Sequence, residues 1–142
     1  MGKKIIIYTD GAVIGNGKEN SKCGWAVKLM YGDAVLFKSG SAIGFTNNQA
    51  EMTAVLNALQ SVTDHTIPVE LYSDSQYVIK TLNGEFRVGM NAELWEKIFK
   101  EVNKFSKIEF KWVKGHSVNK HNNEVDELAL KEANHADKRN RS

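Results

Sequence analysis

Residues 5–12 have the sequence IIIYTDGA, an apolar run that ends in an aspartate and a glycine. Three isoleucines and a tyrosine are typical of a buried β-strand, whereas the Asp-Gly pair is typical of a turn. The run therefore predicts a strand over residues 4–10 with Asp10 at its end. Asp10 alone would be an ordinary turn former, so its significance depends on whether other acidic residues reach the same place.

The composition is that of a folded protein with one domain over residues 1–142, of which about 137–142 would form a flexible tail. Apolar residues make up 42% of the chain and charged residues 25%, as in ordinary globular domains. The single cysteine, Cys23, excludes an internal disulfide framework, so we expect a cytoplasmic protein. The early apolar run is too short for a signal peptide or a membrane span. No predicted helix has a spare apolar face, so we also expect a monomer.

The net charge of +2 is unevenly distributed along the chain. Residues 80–120 contain nine Lys and Arg residues against five Asp and Glu residues. A basic band of this kind is compatible with a polyanionic partner, but it is equally compatible with a solvated helix face.

Hydrophobic periodicity predicts nine elements in the order βββαβααβα. The first three strands are close together in the chain and should form an antiparallel meander, whereas strands that follow helices should pair in parallel. Thr46 with Gln49, and Ser73 with Gln76, form the capping-box pattern that begins a helix. We therefore expect an α/β fold with a five-stranded mixed sheet flanked by helices. The predicted elements are residues 4–10, 24–30, 34–39, 46–62, 67–74, 73–82 with Ser73 as the cap, 92–105, 107–113 and 122–136.

Four acidic residues lie where they should be partly buried. Asp10 and Asp74 lie at the ends of strands, Glu51 lies on the apolar stripe of its helix, and Asp126 is close to the apolar side of the last helix. Each has an ordinary structural explanation, as a turn former or as a partner of a helix N-terminus. Together, however, four carboxylates would repel one another strongly unless cations neutralised them. Carboxylate oxygens suit Mg²⁺ or Mn²⁺, and such a site suits two-metal phosphoryl chemistry.

Five segments carry a resemblance that covers nearly the whole chain. They are YTDGA at 8–12, TNNQAEMTAV at 46–55, YSDSQYV at 72–78, KWVKGH at 111–116 and NNEVDELA at 122–129. In this order and spacing they resemble type 1 ribonuclease H, in its compact form without a basic protrusion. The resemblance implies the RNase H-like fold and endonucleolytic hydrolysis of the RNA strand of RNA–DNA hybrids, giving 5′-phosphate and 3′-hydroxyl ends.

The resemblance also assigns roles to individual residues. It implies that Asp10 bridges two Mg²⁺ ions, for which Mn²⁺ can substitute. Glu51 and Asp74 match ligands of the ion at the leaving group, and Asp126 matches a ligand of the ion that activates water. His116 matches a mobile histidine that assists proton transfer or product release, and a pKa near neutrality suits that task.

Substrate contacts follow from the same resemblance. Asn16, Asn47, Asn48 and Gln76 match polar residues that contact the hybrid, where 2′-hydroxyl groups distinguish RNA from DNA. Thr46 matches a residue that contacts a phosphate of the DNA strand. The residues at 46–48 also begin a helix, where caps of these types are expected, and the two roles can coexist.

The chain departs from some family members in the segment NGEFRVGMN at 83–91, where they carry an extra basic helix. We therefore expect weaker or more salt-sensitive binding of the hybrid. Phe86 is a candidate for the aromatic residue that meets a deoxyribose, and covering the core is an equally good explanation for it. Trp25, Trp95 and Trp112 fall on apolar faces and are predicted to be core residues.

Two other functions are compatible with the fold. One is a catalytically silent module that binds hybrids, which the presence of all four acids disfavours. The other is a different nuclease of the wider superfamily, such as a junction resolvase or an integrase-like enzyme. The Asn and Gln residues disfavour that alternative, because those enzymes do not need to detect a 2′-hydroxyl group.

Overall fold

The computed structural model describes residues 3–15, 19–115 and 118–140, the last four in backbone only. Within these ranges the elements follow the predicted order βββαβααβα. They are β1 (Ile5–Ile14), β2 (Lys22–Tyr31), β3 (Ala34–Ile43), α1 (Asn47–Gln60), β4 (Val69–Ser73), α2 (Gln76–Leu82), α3 (Ala92–Val102), β5 (Ile108–Trp112) and α4 (Lys120–Asn140). Among these described helices, none has both the length and the apolar character needed to cross a membrane.

The five strands form one mixed sheet in the order β3-β2-β1-β4-β5. β1 pairs with β2, and β2 with β3, in antiparallel orientation. β1 pairs with β4, and β4 with β5, in parallel orientation. The predicted mixed sheet, with an antiparallel meander followed by parallel strands, is therefore confirmed.

Apolar side chains cover both faces of the sheet, which explains why helices flank it. The larger core joins β1 and β4 to α1, α2 and α3, with Ile7, Leu71, Leu59 and Trp95 among its fully buried members. The smaller core joins β1 and β2 to α4 through residues that include Tyr8, Ala26, Val125 and Ala129.

Two glycines allow helices to approach the sheet unusually closely. A Cβ atom on Gly11 would lie 2.5 Å from the backbone nitrogen of Glu51, and one on Gly24 would lie 2.0 Å from the carbonyl oxygen of Ala129. Both distances are shorter than any real contact, so only glycine fits. Gly11 therefore brings α1 against one face of the sheet, and Gly24 brings α4 against the other.

Several predicted boundaries are wrong. β1 does not end at Asp10 but continues to Ile14, because β2 pairs with it as far as Ile14. α2 is capped by Ser75, whose hydroxyl accepts a hydrogen bond from the backbone nitrogen of Val78, and not by Ser73. α3 ends at Val102, and α4 begins at residue 120 and extends to residue 140. The capping box of Thr46 and Gln49 is confirmed.

The three tryptophans have different environments. Trp95 is buried in the larger core, and Trp25 packs against that core while partly exposed. Trp112 is 46% exposed, so its assignment to the core is wrong. The alternation of β5 indicated the correct face for Trp112, but this residue lies at the end of an edge strand where little covers it.

The substitution Gly11→Ala should lower the free energy of unfolding by about 1–3 kcal/mol, because the added methyl group would overlap the backbone of α1. The measurement is urea denaturation followed by circular dichroism. Gly89→Ala is the matched control, because a Cβ atom there would meet no described residue other than its own chain neighbours within 4 Å. Equal stability of the two variants would contradict the close packing of α1 on β1.

Candidate active site

Asp10 lies in the middle of β1, at the point where one neighbouring strand ends. On one side Asp10 is opposite Ala26 of β2. On the other side the parallel pairing with β4 stops at Tyr8 and Tyr72. Asp10 is 3% exposed, and its Oδ1 atom accepts a 2.8 Å hydrogen bond from the backbone nitrogen of Gly11. Asp10 thus lies on the part of β1 that extends beyond its pairing with β4, and β1 holds the carboxylate in place.

Two further acids come within reach of Asp10. Asp74 follows the last residue of β4, and Glu51 lies in the first half of α1, next to the close approach at Gly11. One carboxylate oxygen from each of Asp10, Glu51 and Asp74 lies within 4.8 Å of the others. The Oε1 atom of Glu51 is shielded from solvent and has no hydrogen-bond partner among the described residues. The structure therefore brings three of the predicted acids into one group.

Asp126, the fourth predicted acid, approaches from the opposite face of the sheet. It lies in the second turn of α4, next to Val125 of the smaller core. It does not belong to the 4.8 Å group, but its charge helps to raise the pKa of Asp10. The structure thus places the other three predicted acids around Asp10.

Burial and mutual repulsion make this group hard to ionise. Burial is the main cause that raises the pKa of Asp10 to about 8 from its ordinary value of 3.8, followed by the charges of Asp74 and Asp126. The pKa of Glu51 is raised well above its ordinary value, again by burial first and then by the charges of Asp10 and Asp74. Cations would relieve both effects. Because the donors are hard oxygens and Glu51 Oε1 lacks a partner, the group fits Mg²⁺ or Mn²⁺.

The predicted substrate residues lie at the edges of this group. Thr46, Asn47 and Asn48 are exposed around the N-terminus of α1, less than two turns before Glu51. Gln76 is the exposed first residue of α2, two positions after Asp74.

Two predicted residues, Asn16 and His116, lie outside the described residues. The preceding Gly115 is described, and a Cβ atom on it would lie 3.0 Å from Oδ2 of Asp74. Gly115 therefore lies beside the carboxylate of Asp74.

Arg87 and Asn91 were not predicted as site residues. They line a pocket of about 330 Å³ whose other lining residues include Thr46 and Asn48. Asn91 adopts a left-handed backbone conformation with φ of 61°, and its Oδ1 atom accepts a 3.1 Å hydrogen bond from Gln49. Two features of the sequence could have indicated these residues. Arg87 stands in a loop without other basic residues. Asn91 directly precedes a helix, and asparagine tolerates the left-handed conformation.

Phe86 does not cover the core. It is 45% exposed, and the ammonium nitrogen of Lys80 lies 5.4 Å from the centre of its ring. The structural explanation offered for this aromatic residue is therefore wrong.

Comparison with known proteins identifies the family. The family model of RNase H matches residues 2–134. The chain belongs to the ribonuclease H family. It is 42% identical to ribonuclease H of Chlorobium luteolum over 91% of this chain and 94% of that protein, and 40% identical to that of Clostridium botulinum over 89% and 93%.

Solved ribonuclease H structures agree with this assignment. LC11-RNase H1 in complex with an RNA/DNA hybrid is 26% identical, with a TM-score of 0.78 over 94% of this chain and 99% of that one. RNase H1 of Halobacterium salinarum is 28% identical, with a TM-score of 0.75 over 94% and 99%. The N-terminal RNase H domain of Rv2228c from Mycobacterium tuberculosis, 21% identical with a TM-score of 0.83 over 96% and 98%, shows the fold alone. The predicted membership of type 1 ribonuclease H, and thus the assignment as an enzyme, is confirmed.

Without divalent ions, the protein should lose stability as the pH rises from about 4 to about 8. Folded Asp10 keeps its proton up to about pH 8, whereas the unfolded chain releases it near the ordinary value of 3.8. Between these values the folded state binds more protons, so a rise in pH favours unfolding. The substitution Asp10→Asn should remove much of this slope and raise Tm at pH 8 by roughly 5 °C, the shift expected from about 2 kcal/mol.

The measurement is thermal unfolding in chelator at several pH values, repeated with Mg²⁺. Mg²⁺ should flatten the pH dependence of the original protein, and the far-ultraviolet circular dichroism should be the same with and without the ion. Asp33→Asn is the control, because Asp33 is exposed in a turn. A slope of equal size in Asp10→Asn and in the control would refute the clustering of charges.

Proposed function

We propose that this ribonuclease H hydrolyses the RNA strand of RNA–DNA hybrids endonucleolytically, by a two-metal-ion mechanism that gives 5′-phosphate and 3′-hydroxyl ends. The observation that carries the proposal is the group of Asp10, Glu51 and Asp74 oxygens within 4.8 Å, in a chain of this family. The similar protein LC11-RNase H1 is known in complex with an RNA/DNA hybrid, which supports the choice of substrate. The cytoplasmic location, the monomeric state and a single catalytic domain over residues 1–142 belong to the same proposal.

The carboxylates would hold two Mg²⁺ ions, for which Mn²⁺ could substitute. Asp10 would contribute to both ions, Glu51 and Asp74 to the ion at the leaving group, and Asp126 to the ion at the attacking water. When bound, the ions supply charge neutralisation at the phosphodiester and lower the pKa of water. The role of Asp10 as the shared ligand agrees with its position, because the other acids surround it.

The chain itself supplies orientation and restricts solvent access. Asp10 is held by the hydrogen-bonded pairing of β1 with β2, and Glu51 by the packing of α1 on Gly11. Burial of these carboxylates favours the binding of cations over open solvation. His116 would take or deliver a proton at the product side, or assist release of the product.

Recognition of the hybrid would use the exposed polar residues on both sides of the acids. Asn47, Asn48 and Gln76, together with Asn16, would contact the minor groove and the backbone, since amide side chains both donate and accept hydrogen bonds. Thr46 would contact a phosphate of the DNA strand. Arg87 lines the same pocket as Thr46 and provides the positive charge that a phosphate requires.

The proposal is tested with labelled RNA–DNA hybrid, double-stranded RNA, double-stranded DNA and branched DNA, each with and without Mg²⁺. We expect cleavage of the RNA strand of the hybrid in the presence of Mg²⁺. Asp10→Asn and Asp74→Asn should each lower kcat by at least about 10³-fold, as expected when a member of a cooperating catalytic group is lost. Asp33→Asn should retain activity. Binding of hybrid without cleavage would favour the silent module, and cleavage of branched DNA would favour a resolvase.

The substitution Arg87→Gln should weaken hybrid binding and reduce the slope of log affinity against log salt by about one, because one phosphate contact is lost. Binding is measured by fluorescence anisotropy with a noncleavable hybrid at several salt concentrations. Lys131→Gln, an exposed cation on α4, is the matched control. Equal salt slopes for the two variants would exclude Arg87 from the phosphate pocket.

A further inference from the structure

A second cleft lies between α2 and β5, separate from the pocket of Thr46 and Arg87. Its volume is about 340 Å³, near the lower end of the range of about 300–1,000 Å³ for small-ligand sites. Its lining contains apolar, aromatic and polar side chains. Of the residues that line it, Gln76 alone was predicted to contact the substrate. The residues that line it are Gln76, Ile79, Lys80, Asn83, Glu85, Phe110 and Trp112.

Trp112 is the unusual member of this cleft. It is 46% exposed, and its indole nitrogen donates a 3.0 Å hydrogen bond to the backbone carbonyl oxygen of Asp74. A single exposed aromatic residue needs no explanation. Here, however, the exposed indole is hydrogen-bonded to the backbone of Asp74, one of the clustered acids. It also borders a cleft that contains Phe110. The cleft therefore borders the backbone of Asp74, whose carboxylate belongs to the acidic cluster.

We infer that this cleft binds one unpaired nucleotide adjoining the hybrid, with its base stacked on Trp112. Bases inside a duplex are stacked on both faces, and a terminal pair offers a free face only as a whole pair, so an unpaired base is the ligand that brings a single free base to an aromatic side chain. The volume suits a single nucleotide and is too small for a base pair with its backbones.

Three of the four polar lining residues suit this ligand. Lys80 can attract a phosphate, and Gln76 and Asn83 carry the donors and acceptors that base edges require. The fourth, Glu85, is acidic, so the phosphate should lie on the side of Lys80. Asn83 is anchored by a 3.1 Å hydrogen bond from its amide nitrogen to the carbonyl oxygen of Phe110. Gln76 belongs both to this cleft and to the proposed hybrid-binding residues, so the strand could pass from one to the other without a break.

The inference rests on the proposed function, because it takes the nucleic acid to be the substrate cleaved at the carboxylate group. It adds a preference that the family chemistry alone does not require. A hybrid with a short unpaired extension should bind more tightly than a blunt hybrid of the same duplex length.

The test uses the cleavage-deficient Asp10→Asn protein and four hybrids, each with an extension at a different 5′ or 3′ end of the RNA or DNA strand. The extension contains 2-aminopurine, whose fluorescence falls on stacking, and the blunt hybrid is the reference. We expect quenching and tighter binding with at least one extended hybrid. Adding Trp112→Ala should weaken that binding about tenfold, within the range measured for base–aromatic stacking, and change binding of the blunt hybrid less than about twofold.

Two further variants separate stacking from a structural effect. Trp112→Phe loses the hydrogen bond to Asp74 but keeps an aromatic face, so it should retain most of the preference for the extended hybrid. Leu130→Ala, an exposed apolar residue on α4, should change neither affinity. Equal affinity for all four extended hybrids and the blunt hybrid, or an equal loss on both kinds with Trp112→Ala, would overturn the inference.

Failure of the proposed function gives a different result. In that case the protein with Asp10 intact would not cleave the blunt hybrid in the presence of Mg²⁺. Cleavage of the blunt hybrid without any effect of the extension would instead leave the nuclease intact and reject the nucleotide site.

Discussion

Repulsion between carboxylates is the energetic cost that the packing of the rest of the structure must offset. Asp10, Glu51 and Asp74 meet within 4.8 Å, and Asp126 adds its charge from the other side. Partial burial increases the energetic cost of this arrangement, because low polarity strengthens repulsion and weakens solvation. The remainder of the fold must therefore supply enough packing energy to hold the acids together. Two separate cores, one on each face of the sheet, provide it.

The helices reach the acids through positions that lack side chains. Gly11 and Gly24 lie on neighbouring strands, and they admit α1 and α4 respectively. Without these contacts, Glu51 and Asp126 would be displaced from Asp10 by at least the size of a methyl group. Packing and the placement of the acids are thus coupled at two backbone contacts that involve no titratable atom.

Much of the fold and of the acidic group could be predicted from the sequence because both depend on periodic patterns. The alternation of strands, the capping box of Thr46 and the placement of Glu51 on an apolar stripe are local properties. The end of β1 was predicted wrongly because its extension to Ile14 depends on pairing with β2, which is not a local property. Trp112 was misplaced because periodicity gives the face of a strand but not whether anything covers it. Arg87 and Asn91 line the same pocket as Thr46 because of the path of a long loop. A loop has no hydrophobic periodicity from which that path could be predicted.

The position of Asp10 within β1 has a consequence for how the site responds when its charge changes. Asp10 lies on a central strand and is fixed by cross-strand partners, so its backbone cannot shift without breaking the sheet. Glu51 and Asp126 lie on helices, so a change of rotamer in either side chain would leave the sheet intact. Any rearrangement of the acids would therefore be unequal. Asp10 would stay in place on the sheet, whereas the side chains of Glu51 and Asp126 would move. The cluster thus has one member whose position the sheet determines and others whose positions the helices determine.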